Sequence, residues 1–189
     1  TPLPCELASA LAATGIERLF THQVEALDAV AAGDNVLVAT PTASGKSLVF
    51  AVPAIAAALS GDGTTAIFLY PTKALAQDQL SGLNALASAT GRLRPPRFAI
   101  YDGDTSDHLR RKIKQDPPDV LLTNPDMLHA GILAYHADWS GFLSRLRFVV
   151  LDELHVYRGV FGAHVHHILR RLMRLAHMHG AHPRFIAAS

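Results

Sequence analysis

Cysteine is almost absent from this 189-residue chain, in which Cys5 is the only one. A single cysteine excludes an internal disulfide and favours a reducing compartment. A charge excess is lacking too, because 17 lysines and arginines are balanced by 16 acidic residues, which leaves a net charge of +1. The chain therefore has no bulk electrostatic signature of nucleic-acid binding, and any such binding must come from local groups.

Long apolar runs, targeting segments, repeats and low-complexity tracts are also lacking. The longest apolar stretch, residues 48–59, is too short to span a bilayer and contains Pro53. No signal peptide is recognisable, so we expect a cytoplasmic protein with no membrane partner. The chain begins at Thr1 without a methionine and stops at Ser189 within an apolar run, so we expect a piece of a longer protein.

Short apolar runs alternate with helix-like segments along the whole chain. Runs that are apolar throughout predict strands that are buried on both faces, as in a parallel sheet. The predicted strands are residues 35–39, 65–70, 97–101, 119–122, 147–152 and 184–188. The predicted helices lie near residues 22–32, 46–59, 73–89, 105–114, 126–134 and 161–178. The alternation predicts one α/β domain, a three-layer α/β/α sandwich with a mostly parallel sheet.

Residues 40–47, Thr-Pro-Thr-Ala-Ser-Gly-Lys-Ser, lie between the first predicted strand and a predicted helix. This order predicts a phosphate cradle, because loop N–H groups and the helix dipole both favour negative charge. Lys46 has the reach for β/γ-phosphates, and the Ser47 hydroxyl is a ligand for Mg²⁺. The glycine that the simple pattern places five residues before Gly45 is missing, since Thr40 stands there. The alternative is an ordinary strand–helix turn with a surface lysine.

Two adjacent carboxylates, Asp152 and Glu153, end the apolar run of residues 148–151. A carboxylate at a strand end can hold Mg²⁺, and its neighbour can orient the water that attacks the γ-phosphate. His155 is predicted to link this site to neighbouring elements. Together the loop and the carboxylates predict a nucleotide hydrolase that uses ATP and Mg²⁺. The alternative is that both carboxylates only cap a following helix.

Further motifs, in order, resemble those of superfamily 2 helicases, which have a RecA-like P-loop NTPase fold. Asp152-Glu-Leu-His155 resembles the DExH form of motif II, and residues 40–47 resemble motif I. The remaining matches are residues 70–79 with motif Ia, 101–105 with a strand-end segment, 123–126 with a DNA-contacting motif and 184–189 with the approach to motif III. The resemblance implies that residues 1–189 form the first RecA-like domain, truncated within motif III.

The resemblance also assigns site residues. Phe20 and Gln23 resemble the aromatic-plus-glutamine motif that reads adenine, since a glutamine amide offers both a donor and an acceptor. The implied catalytic set is Lys46, Asp152, Glu153 and His155, with Ser47 and Asp152 as metal ligands. The implied ATP-binding set is Phe20, Gln23, Thr40, Thr42, Ala43, Ser44, Gly45, Lys46 and Ser47.

Residues 152–164, followed by Ile168-Leu-Arg-Arg-Leu172, resemble the bacterial YprA or mitomycin-repair-factor branch of DNA helicases, near the Lhr and RecQ4-like groups. This resemblance implies a 3′-to-5′ translocating, DNA-dependent ATPase that acts in DNA repair, in a bacterial cytoplasm or nucleoid. It also implies a second RecA-like domain in the same polypeptide, which supplies arginines to the ATP site. We therefore expect residues 1–189 alone to bind nucleotide weakly and to hydrolyse it very slowly.

The strand-contact candidates offer hydroxyls, amides, one cation and helix N-termini for a nucleic-acid backbone. They are Pro71, Thr72, Lys73, Gln77, Gly103, Asp104, Thr105, Thr123, Asn124 and Pro125. For Thr72 and Thr123 the alternative is a helix cap alone. Single-stranded DNA is the expected partner, while an RNA helicase, a non-motor P-loop protein and a DNA-binding module with a degenerate ATP site stay open.

Two further patterns favour ordinary surface or packing roles. The late histidines, residues 164, 166, 167, 177, 179 and 182, have no accompanying cysteine or Glu-x-x-His arrangement, so we expect no metal site there. The basic run at residues 110–114 is typical of a solvated helix face.

Overall fold

The computed structural model describes residues 3–41 and 44–189, so Thr42 and Ala43 of the predicted ATP-binding set lie outside the described residues. Six strands form one sheet in the order β1-β6-β5-β2-β4-β3. They are β1 (Val36–Val38), β2 (Thr65–Leu69), β3 (Phe98–Ile100), β4 (Val120–Thr123), β5 (Leu146–Leu151) and β6 (Arg184–Ala188). All six predicted strands are confirmed, and their ends differ by no more than one residue. Every strand pairing within the described residues is parallel, so the sheet is fully and not just mostly parallel.

Helices connect the strands as crossovers. They are α1 (Cys5–Ala13), α2 (Thr21–Ala32), α3 (Ser47–Leu59), α4 (Lys73–Ala89), α5 (Asp107–Gln115), α6 (Pro125–Met127), α7 (Ser140–Leu143) and α8 (Gly159–Met178). The sequence did not predict α1 and α7. The single helix predicted over residues 126–134 is wrong in type: α6 continues into a π-helical turn, Leu128–Ile132, and a 3₁₀ turn, Leu133–Tyr135. We call residues 125–135 the 125–135 segment.

Two helical layers cover the two faces of the sheet, which confirms the predicted sandwich. On one face α2, α3 and α4 pack over the central strands, where Phe50 meets Phe68 edge-on at 5.3 Å between ring centroids. On the other face lie α5, the 125–135 segment, α7 and α8, with Trp139 edge-on to Tyr101 at 5.2 Å. β2 is buried at all five positions, as a strand covered on both faces must be.

The parallel arrangement brings the carboxyl ends of all six strands to one edge of the sheet. The predicted phosphate loop, residues 40–47, of which 40, 41 and 44–47 are described, follows β1, and the strand-contact candidates lie at or beyond the ends of β2, β3 and β4. Asp152 follows β5, so the predicted site residues gather at this carboxyl edge. None of the helices formed by residues 3–41 and 44–189 is both long enough and apolar enough to cross a membrane.

Candidate nucleotide and nucleic-acid sites at the carboxyl edge

The phosphate loop between β1 and α3 turns at Gly45, which has a φ of +73°. This left-handed conformation is strained for any residue with a Cβ. A Cβ at Gly45 would also lie 2.6 Å from Nε2 of Gln23, closer than packed atoms approach. On the other side of the turn, the hydroxyls of Thr40 and Ser44 are 2.7 Å apart and share a hydrogen bond. The loop therefore requires glycine at position 45 for two independent reasons.

Gln23 connects the start of α2 to this loop. Its side chain is only 1% exposed, and Nε2 donates to the Gly45 carbonyl at 2.9 Å. Its Oε1 accepts from the backbone N–H of Phe20 at 2.8 Å, which satisfies a donor at the helix start. Phe20 itself is 62% exposed and stacks on His22. Gln23 thus positions the phosphate loop and the exposed Phe20 ring together, while its predicted contact with adenine stays a prediction.

Lys46 immediately precedes α3, and its ammonium group lies across the loop. Nζ donates to the carbonyls of Thr40, at 3.0 Å, and Ser189, at 2.8 Å. Thr40 lies two residues beyond β1 and Ser189 directly follows β6, and these two strands are neighbours in the sheet. The cation is therefore held at the carboxyl edge by two main-chain oxygens, and no side-chain carboxylate pairs with it among the described residues. A phosphate group would form stronger, charge-assisted hydrogen bonds with the ammonium group and can therefore displace these main-chain oxygens.

Asp152 is 6% exposed at the end of β5. Burial is the largest cause that raises the pKa of its carboxyl group, and the neighbouring Glu153 charge raises this pKa further. The hydrogen bond from the Glu153 N–H to Oδ1, at 2.9 Å, and the positive charge of Lys46 act in the opposite direction. The carboxylate is thus a buried, incompletely compensated negative charge, which is the kind of group that binds a divalent cation.

Glu153 is the only residue other than glycine with a positive φ, +51°, among residues 3–41 and 44–189. Such a conformation costs about 1–2 kcal/mol and persists only where the surrounding structure imposes it. The conformation turns the chain sharply between Asp152 and the 3₁₀ turn Leu154–Val156. Glu153 Oε2 lies 3.2 Å from Nδ1 of His155, and neither carboxylate accepts a capping hydrogen bond from the N–H groups of the 3₁₀ turn. The alternative that Asp152 and Glu153 only cap a following helix is therefore wrong for the described residues.

Two tyrosines near Asp152 were not assigned a role from the sequence. The hydroxyls of Tyr70 and Tyr157 are buried and have no hydrogen-bond partner within the described part of the chain. Burial raises the pKa of both phenols, and the Asp152 charge raises each one further. Both stay protonated at neutral pH, so both are available donors beside the carboxylate. The only signal in the sequence was that Tyr70 begins residues 70–79 and that Tyr157 lies within residues 152–164, two stretches that resemble helicase motifs.

These features fit a nucleotide and a divalent cation. Gly45 permits the close backbone approach that a phosphate needs, Lys46 supplies the positive charge and the start of α3 supplies the positive end of a helix dipole. Asp152 supplies a buried carboxylate, and Ser47 begins α3 directly beside the loop. Among the described residues, no three or more histidine, cysteine or acidic side chains are grouped so that they could hold a metal ion by themselves.

The strand-contact candidates that follow β2 lie at the start of α4. Thr72 caps this helix, since its hydroxyl accepts from the Leu75 N–H at 3.3 Å. Lys73 and Gln77 are exposed on the helix, and Pro71 precedes it half-buried. Lys73 Nζ forms an ion pair with Asp104 at 2.7 Å, and hydrogen bonding to Asp104 raises the pKa of the lysine. This ion pair connects the loops that follow β2 and β3.

The loop after β3 is a turn organised by Asp102. Its Oδ1 accepts from the N–H groups of Asp104, at 2.9 Å, and Thr105, at 3.0 Å. The Thr105 hydroxyl returns to Asp102 Oδ1 at 3.1 Å. Gly103 and Asp104 are exposed at the tip, while Thr105 is half-buried. The tip is therefore accessible, and its shape is fixed by a buried aspartate that the sequence placed only at a strand end.

The loop after β4 presents a buried threonine and a capped turn. Thr123 is 2% exposed, and its hydroxyl donates to the Tyr101 carbonyl at 2.6 Å, so it links β4 to the end of β3. It does not cap a helix; Asn124 does, by accepting from the Met127 N–H at 2.8 Å. Pro125, at the first helical position, is buried. All ten candidates lie at or just beyond the ends of the neighbouring strands β2, β4 and β3, although Thr123 and Pro125 present little side-chain surface.

The match with known proteins agrees with this arrangement. Residues 20–189 match the DEAD/DEAH box helicase family, which covers most of the chain. The chain therefore belongs to the DEAD/DEAH box helicases, and the RecA-like helicase fold predicted from the motifs is confirmed.

Individual relatives narrow the resemblance. The chain is 43% identical over 183 residues to the ATP-dependent helicase YprA of Bacillus subtilis, covering 97% of this chain and 24% of YprA. It is 43% identical over 161 residues to the ATP-dependent helicase HRQ1 of Saccharomyces cerevisiae, covering 85% of this chain and 15% of HRQ1. The structure of the DUF1998 helicase MrfA bound to DNA and AMPPNP superposes with a TM-score of 0.95 at 41% identity, over 100% of this chain and 26% of MrfA. The chain spans about a quarter or less of these relatives.

Proposed function

We propose that this chain is the first motor domain of an ATP-dependent DNA helicase, which binds and hydrolyses ATP with Mg²⁺ to move along single-stranded DNA. The observation that carries the proposal is the pairing of Lys46 and Asp152 at one edge of the sheet. Within the described residues the ammonium group binds only main-chain oxygens, and its positive charge lowers the pKa of the buried carboxyl group. Each group needs a partner of opposite charge, and a metal-bound triphosphate offers both.

The chain's own residues divide the work. Lys46 and the loop N–H groups around Gly45 would hold the phosphates, and Ser47 and Asp152 would hold the cation. Mg²⁺, when bound, neutralises charge on the β- and γ-phosphate oxygens. Glu153, held by its turn and by His155, would orient a water molecule for attack and accept its proton. The exposed Phe20 ring would stack on the nucleotide base. Gln23, which is hydrogen-bonded to both Phe20 and Gly45, would hold the ring at a fixed position relative to the loop.

DNA is the proposed partner rather than RNA because the relatives MrfA and Lhr of Mycobacterium smegmatis carry DNA and single-stranded DNA in their structures. The latter is 29% identical to this chain, with a TM-score of 0.87. RNA-bound structures match at only 16–17% identity, a level that shows the fold alone. A role in DNA repair rests on the resemblance to the mitomycin-repair-factor branch.

A second RecA-like domain completes the proposed enzyme. An arginine supplied from such a domain raises the rate of phosphoryl transfer by about 10³–10⁵-fold. We therefore expect the 189-residue chain to show little ATP hydrolysis by itself, with or without DNA. Robust DNA-stimulated hydrolysis by residues 1–189 alone would contradict this expectation.

The test uses the full-length protein. We expect single-stranded DNA, and not RNA of the same sequence, to stimulate its ATP hydrolysis. Lys46→Ala and Glu153→Gln should each lower the stimulated rate by roughly a hundredfold or more, because each removes a group that acts on the reacting phosphate. Lys112→Ala, which removes an exposed lysine on α5, is the matched control and should leave hydrolysis without DNA unchanged. Stimulation by RNA alone would replace DNA with RNA in the proposal, and wild-type rates in both site variants would refute a motor.

A further inference from the structure

Helix α8 carries charge of one sign only. Its sequence, GVFGAHVHHILRRLMRLAHM, contains three arginines and four histidines but no acidic residue. The apolar positions Val165, Ile168, Leu172 and Ala176 are buried against the sheet at helical spacing. The cationic positions therefore lie on the remaining faces, and none of them belongs to the proposed motor site.

Part of this surface borders a cleft of about 310 Å³ between α8 and the 125–135 segment. We call it the α8 cleft. Its lining is His129, His164, His167, Ile168, Arg170, Arg171 and Arg174. His164, His167, Arg171 and Arg174 follow one another at three- and four-residue steps, so they form one row along the helix. The ten steps from His164 to Arg174 extend about 15 Å along the helix axis.

Arg171 fixes the shape of the cleft. It is half-buried, and its Nη2 donates to the Leu133 carbonyl at 3.0 Å, while Nη1 lies 3.3 Å from Nδ1 of His129. These contacts hold α8 against the 125–135 segment. They use only part of the donor set of a guanidinium, so the remaining N–H groups stay available to a ligand.

The cleft has an excess of positive charge. Arg170 and Arg174 are exposed and form no ion pair within residues 3–41 and 44–189. The only acidic side chain in contact with a cleft residue, within the same described ranges, is Asp126, 3.6 Å from Nε2 of His164 and 80% exposed. Arg170 and Arg174 thus lie without an ion-pair partner beside Arg171, whose guanidinium group is held in place. Three neighbouring arginines match a ligand with several phosphate groups, because arginine binds phosphate by bidentate hydrogen bonds.

The cleft is continuous with the strand-contact candidates. Asp126 directly follows Pro125, and its contact with His164 marks the end of the row nearest the carboxyl edge. Because α8 leads from β5 to the parallel strand β6, it runs from the carboxyl edge toward the opposite edge, with Arg174 farthest along. A backbone that leaves the edge past Asn124 and Pro125 therefore meets His164 first.

We propose that the α8 cleft binds the backbone phosphates of the DNA strand beyond its contacts with the loops after β2, β3 and β4. This inference rests on the proposed function, because it extends the strand that the motor holds. At the spacing of about 3.4 Å per nucleotide that one strand has in a stacked duplex, a 15 Å row accommodates at most about four phosphates. Contact through phosphate alone carries no base specificity, so the cleft lengthens the footprint without reading sequence.

The test measures how the affinity of the full-length protein depends on DNA length. Labelled single-stranded oligonucleotides are lengthened one nucleotide at a time, and binding is followed by fluorescence anisotropy at several salt concentrations. For the wild type we expect affinity to rise again over about four nucleotides beyond the minimal site. In Arg170→Gln/Arg174→Gln this second rise should disappear, which amounts to a loss of about tenfold for long DNA, while binding of the shortest DNA stays within twofold.

The salt dependence supplies a second readout. Loss of two phosphate contacts should lower the slope of log affinity against log salt by about 1.4 for single-stranded DNA. The matched control is Arg94→Gln/Arg147→Gln, which removes two exposed arginines at the amino ends of the strands. That control should keep both the length profile and the slope of the wild type.

The outcomes separate this inference from the proposed function. If DNA stimulates ATP hydrolysis but the α8 variant keeps the wild-type length profile and slope, the α8 cleft does not bind DNA and the motor assignment stands. If the variant loses affinity equally for every length, the α8 cleft is not an extension of the footprint. If it changes thermal stability but not DNA binding, the two arginines stabilise the fold and the α8 cleft does not bind DNA. Repeating the series on the Lys46→Ala protein keeps the readout independent of hydrolysis, and loss of the second rise there supports the cleft even where hydrolysis fails.

Discussion

Replacement of Gly45 by alanine tests the account of the phosphate loop most directly. A residue with a Cβ at a φ of +73° costs about 1–2 kcal/mol. The new Cβ would also lie 2.6 Å from Nε2 of Gln23. A glutamine amide at the end of a flexible side chain usually moves aside at little cost. Gln23 is 1% exposed and bonded at both ends of its amide, so moving it breaks the bond to the Gly45 carbonyl.

Leaving that buried amide unsatisfied costs about 1–3 kcal/mol more. The total is about 2–5 kcal/mol, and each kcal/mol lowers the Tm of a domain of this size by about 2–4 °C. Gly91→Ala is the matched control, because Gly91 has a similar φ of +67° but nothing within 4 Å of its would-be Cβ. We expect thermal unfolding of the 189-residue chain to show a clearly larger fall in Tm for Gly45→Ala than for Gly91→Ala.

A double-mutant cycle isolates the contribution of the contact with Gln23. In a Gln23→Ala background the amide is gone, so Gly45→Ala should cost only the backbone strain, and the two changes should be non-additive by about 1–3 kcal/mol. Equal falls in Tm for Gly45→Ala and Gly91→Ala, together with additivity in the cycle, would refute the reasoning. Such a result would mean that the loop adjusts freely and that Gln23 does not hold it.

Three further substitutions test the buried polar groups and one close contact. Asp152→Asn should raise the Tm at neutral pH while abolishing hydrolysis by the full-length protein. The reason is that folding raises the pKa of this carboxyl group, so its ionised form opposes folding. The gain in Tm should fade as the pH falls into the ordinary aspartate range, where the carboxyl group is protonated in both states. Thr123→Val should destabilise the chain by about 1–3 kcal/mol in chemical denaturation, since it leaves the Tyr101 carbonyl without its hydrogen bond. Gly162→Ala should destabilise by about 1–3 kcal/mol in the same assay, because its Cβ would overlap the Tyr157 carbonyl, which belongs to the backbone and cannot move aside.

Each of these has an outcome that contradicts it. A lower Tm for Asp152→Asn at neutral pH would show that the carboxylate is compensated in the folded chain. Unchanged stability in Thr123→Val would show that the carbonyl finds another partner. For the glycine the matched control is Gly141→Ala, also helical but with nothing within 4 Å, which should be neutral or stabilising by up to about 1 kcal/mol. Equal effects at Gly162 and Gly141 would exclude the overlap as the cause.

Strand positions and the phosphate loop were predictable from sequence because their signals are local. β2 and β4 are apolar at nearly every position, as strands buried on both faces are, and the glycine, lysine and serine of the loop are adjacent in the chain. Asp152 was predictable because it ends an apolar strand. Such features depend on the order of neighbouring residues, and the sequence states that order directly.

The features that were not predicted depend on contacts between distant residues. Helix α1 exists because Leu7 and Leu11 pack against α3 and α4, and no motif marks it. The 125–135 segment has helical spacing throughout, and spacing of apolar residues does not distinguish α, π and 3₁₀ turns. The bond from Gln23 to Gly45 spans 22 residues, and the hydroxyl of Thr123 bonds to a neighbouring strand rather than to a helix N-terminus. Residue type identifies such side chains as polar, but only the fold determines which partner each one meets.

In the sheet, β2 lies between β5, which ends next to Asp152, and β4, which ends at Thr123 among the strand-contact candidates. The Asp152 N–H donates to the carbonyl of Leu69, the last residue of β2, at 3.1 Å, and the next residue, Tyr70, donates through its N–H to the Thr123 carbonyl at 3.0 Å. The Tyr70 hydroxyl is buried without a partner in the described residues, and its pKa responds to the charge on Asp152. A cation bound at Asp152 would neutralise the charge that acts on Tyr70. Tyr70 directly precedes Pro71 in the chain. Asp152 and Thr123 are therefore both bonded to the end of the same strand, and the charge on Asp152 acts on the Tyr70 phenol that directly follows this strand.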